Sequence, residues 1–167
     1  MSTKTLSASG FNCSGRAHAK CISEALAAAE RVCRQRGLRL TPLRRRVLEL
    51  VWGSHRPIGA YPLLEQLQGT MGRVAPPTVY RALEFLQAQG LVHRIASLNA
   101  FSGCVRPGTP HSGQFLICSS CQSLTEIDDP QLRGAIAESA QAAGFEVRHP
   151  TVEVHGLCPE CRGEEKS

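Results

Sequence analysis

Residues 75–104 read APPTVYRALEFLQAQGLVHRIASLNAFSGC. Two patterns of different period meet inside this stretch. Val79, Leu83 and Leu86 recur at helical spacing, with prolines at the start and Gly90 at the stop. Beyond Gly90 the pattern shortens to two strands around a turn at Leu98–Asn99, which predicts a β-hairpin. A helix running directly into a hairpin is the closing half of a winged helix, provided that further short helices precede it.

They do. AYPLLEQLQG predicts a helix ended by Gly69. TPLRRRVLELVWGS predicts another, with Thr41 as N-cap, Pro42 at its first position and Val47, Leu48, Leu50 and Val51 on its apolar face. CISEALAAAERVCRQRG predicts the first, with Ser23 able to cap, Glu24 in the first turn and Gly37 at the end. Residues 1–21 are rich in Ser, Ala and Gly without periodicity and are expected to form a loose tail. The helix over 76–89 then occupies the recognition position of a helix-turn-helix. A small helical bundle with no DNA role is the plain alternative.

Charge weighs against that alternative. Residues 1–99 carry a net +9 and residues 100–167 a net −4. A basic half joined to an acidic half predicts two modules, the first facing a polyanion. Charged residues make up 20% and hydrophobic ones 42% of the 167, the balance of a globular chain. No apolar run approaches the roughly 18 residues that span a bilayer. The start, MSTKTLSASGFNCSGRAHAK, lacks the apolar block of a signal peptide, so a cytoplasmic protein without a membrane partner is expected.

CVRPGTPHSG, residues 104–113, reads as linker sequence, and the linker between the modules is set at residues 103–112. Beyond it, QFLIC and SLTEID read as strands, DPQLRGAIAESAQAAG as a helix and FEVRHPTVEVHG as a strand, the whole a small α/β module. Two CxxC pairs frame it: Cys118 and Cys121, then Cys158 and Cys161, with 36 residues between them. Paired cysteines in a reducing compartment point to metal or redox chemistry rather than to a disulfide framework. A thioredoxin-like CxxC stands alone at the start of a helix. Here there are two, and neither is expected to open one. Two such turns complete a closed tetrahedral four-cysteine zinc site, able to staple a module too small to rely on its core. Cys13, Cys21 and Cys33 lie outside the pattern and read as tail or packing thiols.

Four more potential ligands lie on the hairpin, at its end, in the linker and on the strand after the first CxxC: His93, Cys104, His111 and Glu126. Taken singly, each is an ordinary surface or packing residue. As a set they offer two nitrogens, a sulfur and an oxygen, which suits tetrahedral zinc better than iron or manganese. His149 and His155, placed on one strand face by period two, read as packing or surface residues. No nucleophile–base pair and no glycine-rich phosphate loop appears, so neither an enzyme nor a small-molecule substrate is expected.

RLTPLRRRVLEL, AYPLLEQL, PPTVYRALEFLQAQGLVHR, FLICSSCQSLTE and VEVHGLCPEC run in one order. Together they resemble the ferric uptake regulator family, and most its zinc-sensing branch, the zinc uptake regulators. The resemblance covers roughly residues 22–162. It implies an α+β chain: a winged-helix DNA-binding domain over 22–102 and a C-terminal dimerisation domain over 113–167. It implies a homodimer that, loaded with two Zn²⁺ per subunit, binds operator DNA and represses zinc-uptake genes. Structural zinc carries over onto Cys118, Cys121, Cys158 and Cys161, and sensing zinc onto His93, Cys104, His111 and Glu126. Base reading falls near Tyr61 and Arg81, with Thr78 and Tyr80 placed to touch the backbone. Arg44, Arg45, Arg46 and Arg94 are candidates for phosphate contacts. Iron-sensing relatives often carry a His-rich cluster before the first CxxC strand; this chain has PHSGQ, which favours zinc and leaves a third metal site without support. The alternatives are an iron or peroxide sensor of the same family, a zinc-binding thiol oxidoreductase, or a zinc-stapled protein adaptor.

Overall fold

The structure, a computed structural model, describes residues 15–109, 111 and 113–164. The chain divides into two compact units, one through Gly108 and one from Thr109.

In the first unit, α1 spans Gly15–Gln35. It begins earlier than the sequence predicts, so residues 15–21 are helical rather than tail; residues 1–14, with Cys13, lie outside the described residues. The alanines of this stretch favour helix over tail. Ser23 is therefore interior, and its hydroxyl donates back to the Lys20 carbonyl at 2.9 Å instead of capping. Helix α2 (Pro42–Val51) starts as expected, with Thr41 as N-cap accepting from the Arg44 amide and Pro42 in the first turn. Helix α3 (Ala60–Met71) runs through Gly69 and stops at Gly72, whose positive φ of 76° glycine adopts freely. Helix α4 (Pro76–Ala88) buries Val79, Ala82, Leu83 and Leu86 against Val47, Leu48, Leu63 and Leu67 of its neighbours.

Strands β1 (Val92–Ile95) and β2 (Ala100–Gly103) form the expected antiparallel hairpin. Its corner is a single 3-10 turn closed by Asn99 at φ 47°, a left-handed position that asparagine tolerates. The hairpin does not hang free. Ile58, in the α2–α3 loop, exchanges both backbone hydrogen bonds with Phe101 at 2.9 Å, which pins the wing to the helical core.

In the second unit, β3 (Gly113–Cys118) lies between β4 (Leu124–Ile127) and β5 (Thr151–Gly156). Strand β4 pairs antiparallel with β3, and β5 pairs parallel to it. A parallel neighbour requires a crossover, supplied by α5 (Pro130–Ala142). Buried Gln114 ties that crossover to the sheet: its amide donates to the Asp129 carbonyl at 3.1 Å and its oxygen accepts from the Asp129 amide at 2.9 Å. Asp129 in turn caps α5, its carboxylate accepting from Gln131 N at 2.8 Å. The strand expected over 145–156 begins only at Thr151, since Pro150 removes a ladder donor just before it. His149 therefore precedes the strand, and of that expected pair only His155 lies on it. Helix α6 (Pro159–Glu164) closes the unit.

The apolar core of this second unit is small. Helix α5 has no buried residue, and Phe145, Val154 and Leu157 are exposed.

Candidate metal centres and nucleic-acid interface

The parallel register builds the cysteine cluster. It ends with Cys118 opposite Gly156, so the turn after β3 and the turn after β5 emerge side by side, joined by Ser119 N donating to Gly156 O at 2.7 Å. The first turn is tight: Gln122, at φ 60°, donates to the Cys118 carbonyl at 2.9 Å, and Cys118 N donates to Ser123 O at 2.9 Å. The Sγ atoms of Cys118, Cys121, Cys158 and Cys161 all lie within 4.8 Å of one another. Cys121 and Cys158 sulfurs are 3.8 Å apart. A tetrahedron with zinc–sulfur bonds of about 2.3 Å has edges of about 3.8 Å, so the donor set fits zinc.

Its electrostatics fit as well. Backbone N–H groups of Cys121 and Cys158 point at Cys118 and lower its thiol to about 6. The hydroxyl and amide of Ser123 lower Cys121. The Ser120 hydroxyl also favours the Cys161 thiolate, but the Cys158 thiol and burial outweigh it and push Cys161 up to about 12. Four thiolates thus do not coexist here without a cation among them. One expectation needs correcting: the second CxxC does lead into a helix, with Cys161 inside α6. What separates the cluster from a lone redox pair is the convergence of four sulfurs.

The other ligand candidates fall into two pairs, one in each unit. In the first unit His93 lies on β1 opposite Ser102, and Cys104 follows β2 with its amide donating to Leu91 O at 3.0 Å. The imidazole nitrogen and the thiol sulfur are within 4.8 Å. In the second unit His111 Nε2 lies 2.8 Å from Glu126 Oε1, and its Nδ1 lies 2.7 Å from the Thr109 carbonyl. The ring thus faces oxygen acceptors on both sides. A neutral imidazole donates to only one of them. Donation from Nδ1 to Thr109 leaves the Nε2 lone pair beside a carboxylate oxygen, an arrangement that a cation on that side completes.

The nucleic-acid candidates all belong to the first unit. Thr78, Tyr80 and Arg81 stand exposed along the first half of α4, and Tyr61 is exposed at the start of α3. Tyr61, Tyr80, Arg94 and Asn99 share a cavity of about 420 Å³ between α3, α4 and the hairpin. The arginines are more committed than the sequence predicts. Arg44 lies with its guanidinium 3.5 Å from the centre of the Phe85 ring. Arg45 pairs with Glu30, Arg46 with Glu49 at 2.7 Å, and Arg94 donates to Asn99 Oδ1 at 3.2 Å. Sequence reasoning missed these partners, as it missed Gln114 and Asp129; only the Asp-Pro dipeptide hinted at the latter. Cys33 is a packing residue, buried in the core, and that burial raises its thiol against the pull of Arg44 and Arg36.

The sequence pattern of the ferric uptake regulator family matches residues 35–155. The chain belongs to the ferric uptake regulator family. It is 40% identical over 139 residues to the Zinc uptake regulation protein of Escherichia coli (strain K12), covering 83% of this chain and 81% of that one. Among solved structures it is similar to a zinc uptake regulator complexed with zinc and DNA, at 39% identity and a TM-score of 0.83, covering 87% of this chain and 98% of the other. It is also similar to holo XcZur, at 45% identity and a TM-score of 0.77, covering 84% and 98%.

Proposed function

We propose that this chain is a zinc-responsive transcriptional repressor that binds the operators of zinc-uptake genes as a homodimer. The observation that carries the reading is its likeness, over 87% of its length, to a zinc uptake regulator complexed with zinc and DNA. The first unit reads DNA, and the second is the dimerisation domain, whose exposed Phe145, Val154 and Leu157 offer apolar surface for a second copy. No helix among the described residues is long and apolar enough to cross a membrane, which accords with cytoplasmic work on DNA. The protein acts by binding rather than by turnover.

We assign two zinc ions to each subunit. Zinc, when bound, supplies four-coordinate cross-linking without redox chemistry. Cys118, Cys121, Cys158 and Cys161 hold one ion, staple the ends of β3 and β5, and keep the second unit folded. His93 and Cys104 from the first unit, with His111 and Glu126 from the second, hold the sensing ion. In this division Thr109 O fixes the His111 tautomer so that Nε2 is the ligand. Sharing a ligand set between units makes operator affinity a function of zinc. Without the ion only a fraction of molecules present both reading helices correctly, and affinity falls by that fraction.

The test is operator binding at buffered free zinc, using a duplex selected from a random library at saturating zinc. Wild type should tighten steeply with zinc. Cys104→Ser and His111→Ala should remain folded, dimeric and loaded at the four-cysteine site, yet gain no affinity. A normal zinc response in both variants moves sensing away from these residues. A response to iron or peroxide in place of zinc assigns the chain to another branch of the family.

A further inference from the structure

We propose that Arg44 is a positioning residue for the recognition helix rather than a phosphate contact. The inference rests on the reading of α4 as the helix that enters DNA. In sequence, Arg44 opens the run Arg44-Arg45-Arg46, an obvious basic patch. In the structure its side chain points inward. Its guanidinium lies 3.5 Å from the centre of the Phe85 ring, and Nη1 donates to the Arg39 carbonyl at 2.9 Å. Arg44 is itself half-buried, whereas Arg45 beside it is exposed.

Phe85 is the relevant partner because of where it sits. It lies on α4 one turn beyond Arg81, so the two share a helical stripe. A second arginine holds the same end of α4. Arg36, just past α1, donates from Nη1 to Gln89 O at 3.0 Å and to Gln89 Oε1 at 2.9 Å. The C-terminal half of α4 is thus fixed by two guanidinium groups from different elements. Its N-terminal half, with Thr78, Tyr80 and Arg81, projects outward.

The lever is short. Four residues at about 1.5 Å rise put Arg81 roughly 6 Å along the axis from Phe85. A tilt of about 10° there moves the base of Arg81 by about 1 Å, beyond the roughly 0.5 Å within which a polar site keeps its geometry. A planar guanidinium stacks on a ring face; an ammonium does so poorly, although it serves well as a point charge for phosphate. Arg44→Lys therefore separates the two roles.

The experiment measures binding of the zinc-loaded dimer to its selected duplex and to an unrelated duplex, across a salt series. It compares wild type with Arg44→Lys, Arg44→Gln, Phe85→Leu and the Arg44→Gln/Phe85→Leu double variant. If Arg44 positions α4, Arg44→Lys and Phe85→Leu each lower specific affinity roughly 3- to 30-fold, the range between an exposed and a desolvated stacked cation. The double variant is then no weaker than the weaker single variant. The salt slope and the binding to unrelated DNA stay at wild-type values. The assignment is overturned if Arg44→Lys binds like wild type, if Phe85→Leu is neutral, or if Arg44→Gln flattens the slope by about 0.9 for each phosphate lost. Arg81→Ala runs alongside: if it spares specific binding, α4 is not the reading helix and both proposals fall. If Arg81→Ala weakens binding while Arg44→Lys does not, only the Arg44 assignment falls.

Discussion

Gly103→Ala is a sharp test of how the wing is seated. Gly103 ends β2 and faces Trp52, the residue that caps α2. A Cβ on Gly103 would lie 2.2 Å from both Cε2 and Nε1 of the indole and 2.7 Å from Cδ2, where ordinary contact is 3.4–4 Å. The ring must therefore retreat by about 1.2 Å, the gap between 2.2 and 3.4 Å. Trp52 is half-buried and packs on the core, so moving it opens space beneath it. Overpacking of this kind costs about 1–3 kcal/mol. Replacing glycine also restricts the unfolded chain, which returns about 0.4–1 kcal/mol. The steric cost wins, leaving a net loss of about 1–2 kcal/mol, or roughly 5–15 °C in Tm for a unit of this size.

Trp52 is the single tryptophan of the chain, so its emission reports on this contact alone. Gly103→Ala should lower Tm and shift that emission to the red as the indole meets water. In a Trp52→Leu background the same substitution should cost nothing, because the atoms it strikes are gone. Unchanged Tm and emission in the single variant refute the packing argument. The effect should reach the metal: Gly103 precedes Cys104 and pairs with Val92, next to His93, so zinc-dependent operator binding should weaken as well.

Three further expectations follow from the same geometry. Cys158→Ser should lose the tightly held zinc, measured per chain after a chelator challenge, and with it dimerisation, since structural zinc contributes about 10–16 kcal/mol of apparent binding to such folds; a folded dimer of unchanged zinc content refutes the four-cysteine assignment. Arg81→Ala should weaken the selected duplex by about 1–3 kcal/mol and leave unrelated DNA alone, whereas Arg45→Ala should weaken both and flatten the salt slope; equal loss on both duplexes with Arg81→Ala removes its base-reading role. His55, whose ring lies 4.7 Å from that of His18, is held below its usual 6.5 by burial and by His18, so the unfolded chain takes the proton first; stability is full above pH 6.5 and declines as pH falls toward the folded pKa, and His55→Gln should flatten that decline in a pH series of melts.

What the sequence made legible was local. Thr41-Pro42 and Gly90 announce their helix boundaries because caps and left-handed turns are decided by the residues that occupy them. The two CxxC pairs announce a four-cysteine site for the same reason. Other boundaries went astray: α1 starts at Gly15, ahead of the expected Cys21, and α3 passes through Gly69 to use Gly72. The long-range partners were not legible at all. Nothing near Arg44 indicates that Phe85, 41 positions on, will occupy its guanidinium. Nothing near Gln114 indicates that its amide will hold the cap of α5. His93, Cys104, His111 and Glu126 stood out as a set of donor types suited to zinc, but only the resemblance made the set a sensing site.

The cysteine cluster and the sheet specify each other. Strand β5 is an edge strand, and its residues are half-buried or exposed. Val152 and Val154 alternate with Thr151, Glu153 and His155, but no residue of β5 is buried, so burial fixes its register only weakly. A slip by one residue carries Cys158 about 3.3 Å along the strand direction. That is large against the roughly 0.2 Å tolerance of a zinc–sulfur bond. Only the register that ends with Cys118 opposite Gly156 brings both knuckles to one point. A zinc ion held there would therefore reinforce the register that burial fixes only weakly. The register in turn sets which residues of β5 face the surface where Val154 lies exposed. On the proposed function, zinc held by the cysteines would shape the dimerisation surface through the strand, so its loss should abolish pairing of subunits although none of the four sulfurs need touch the partner.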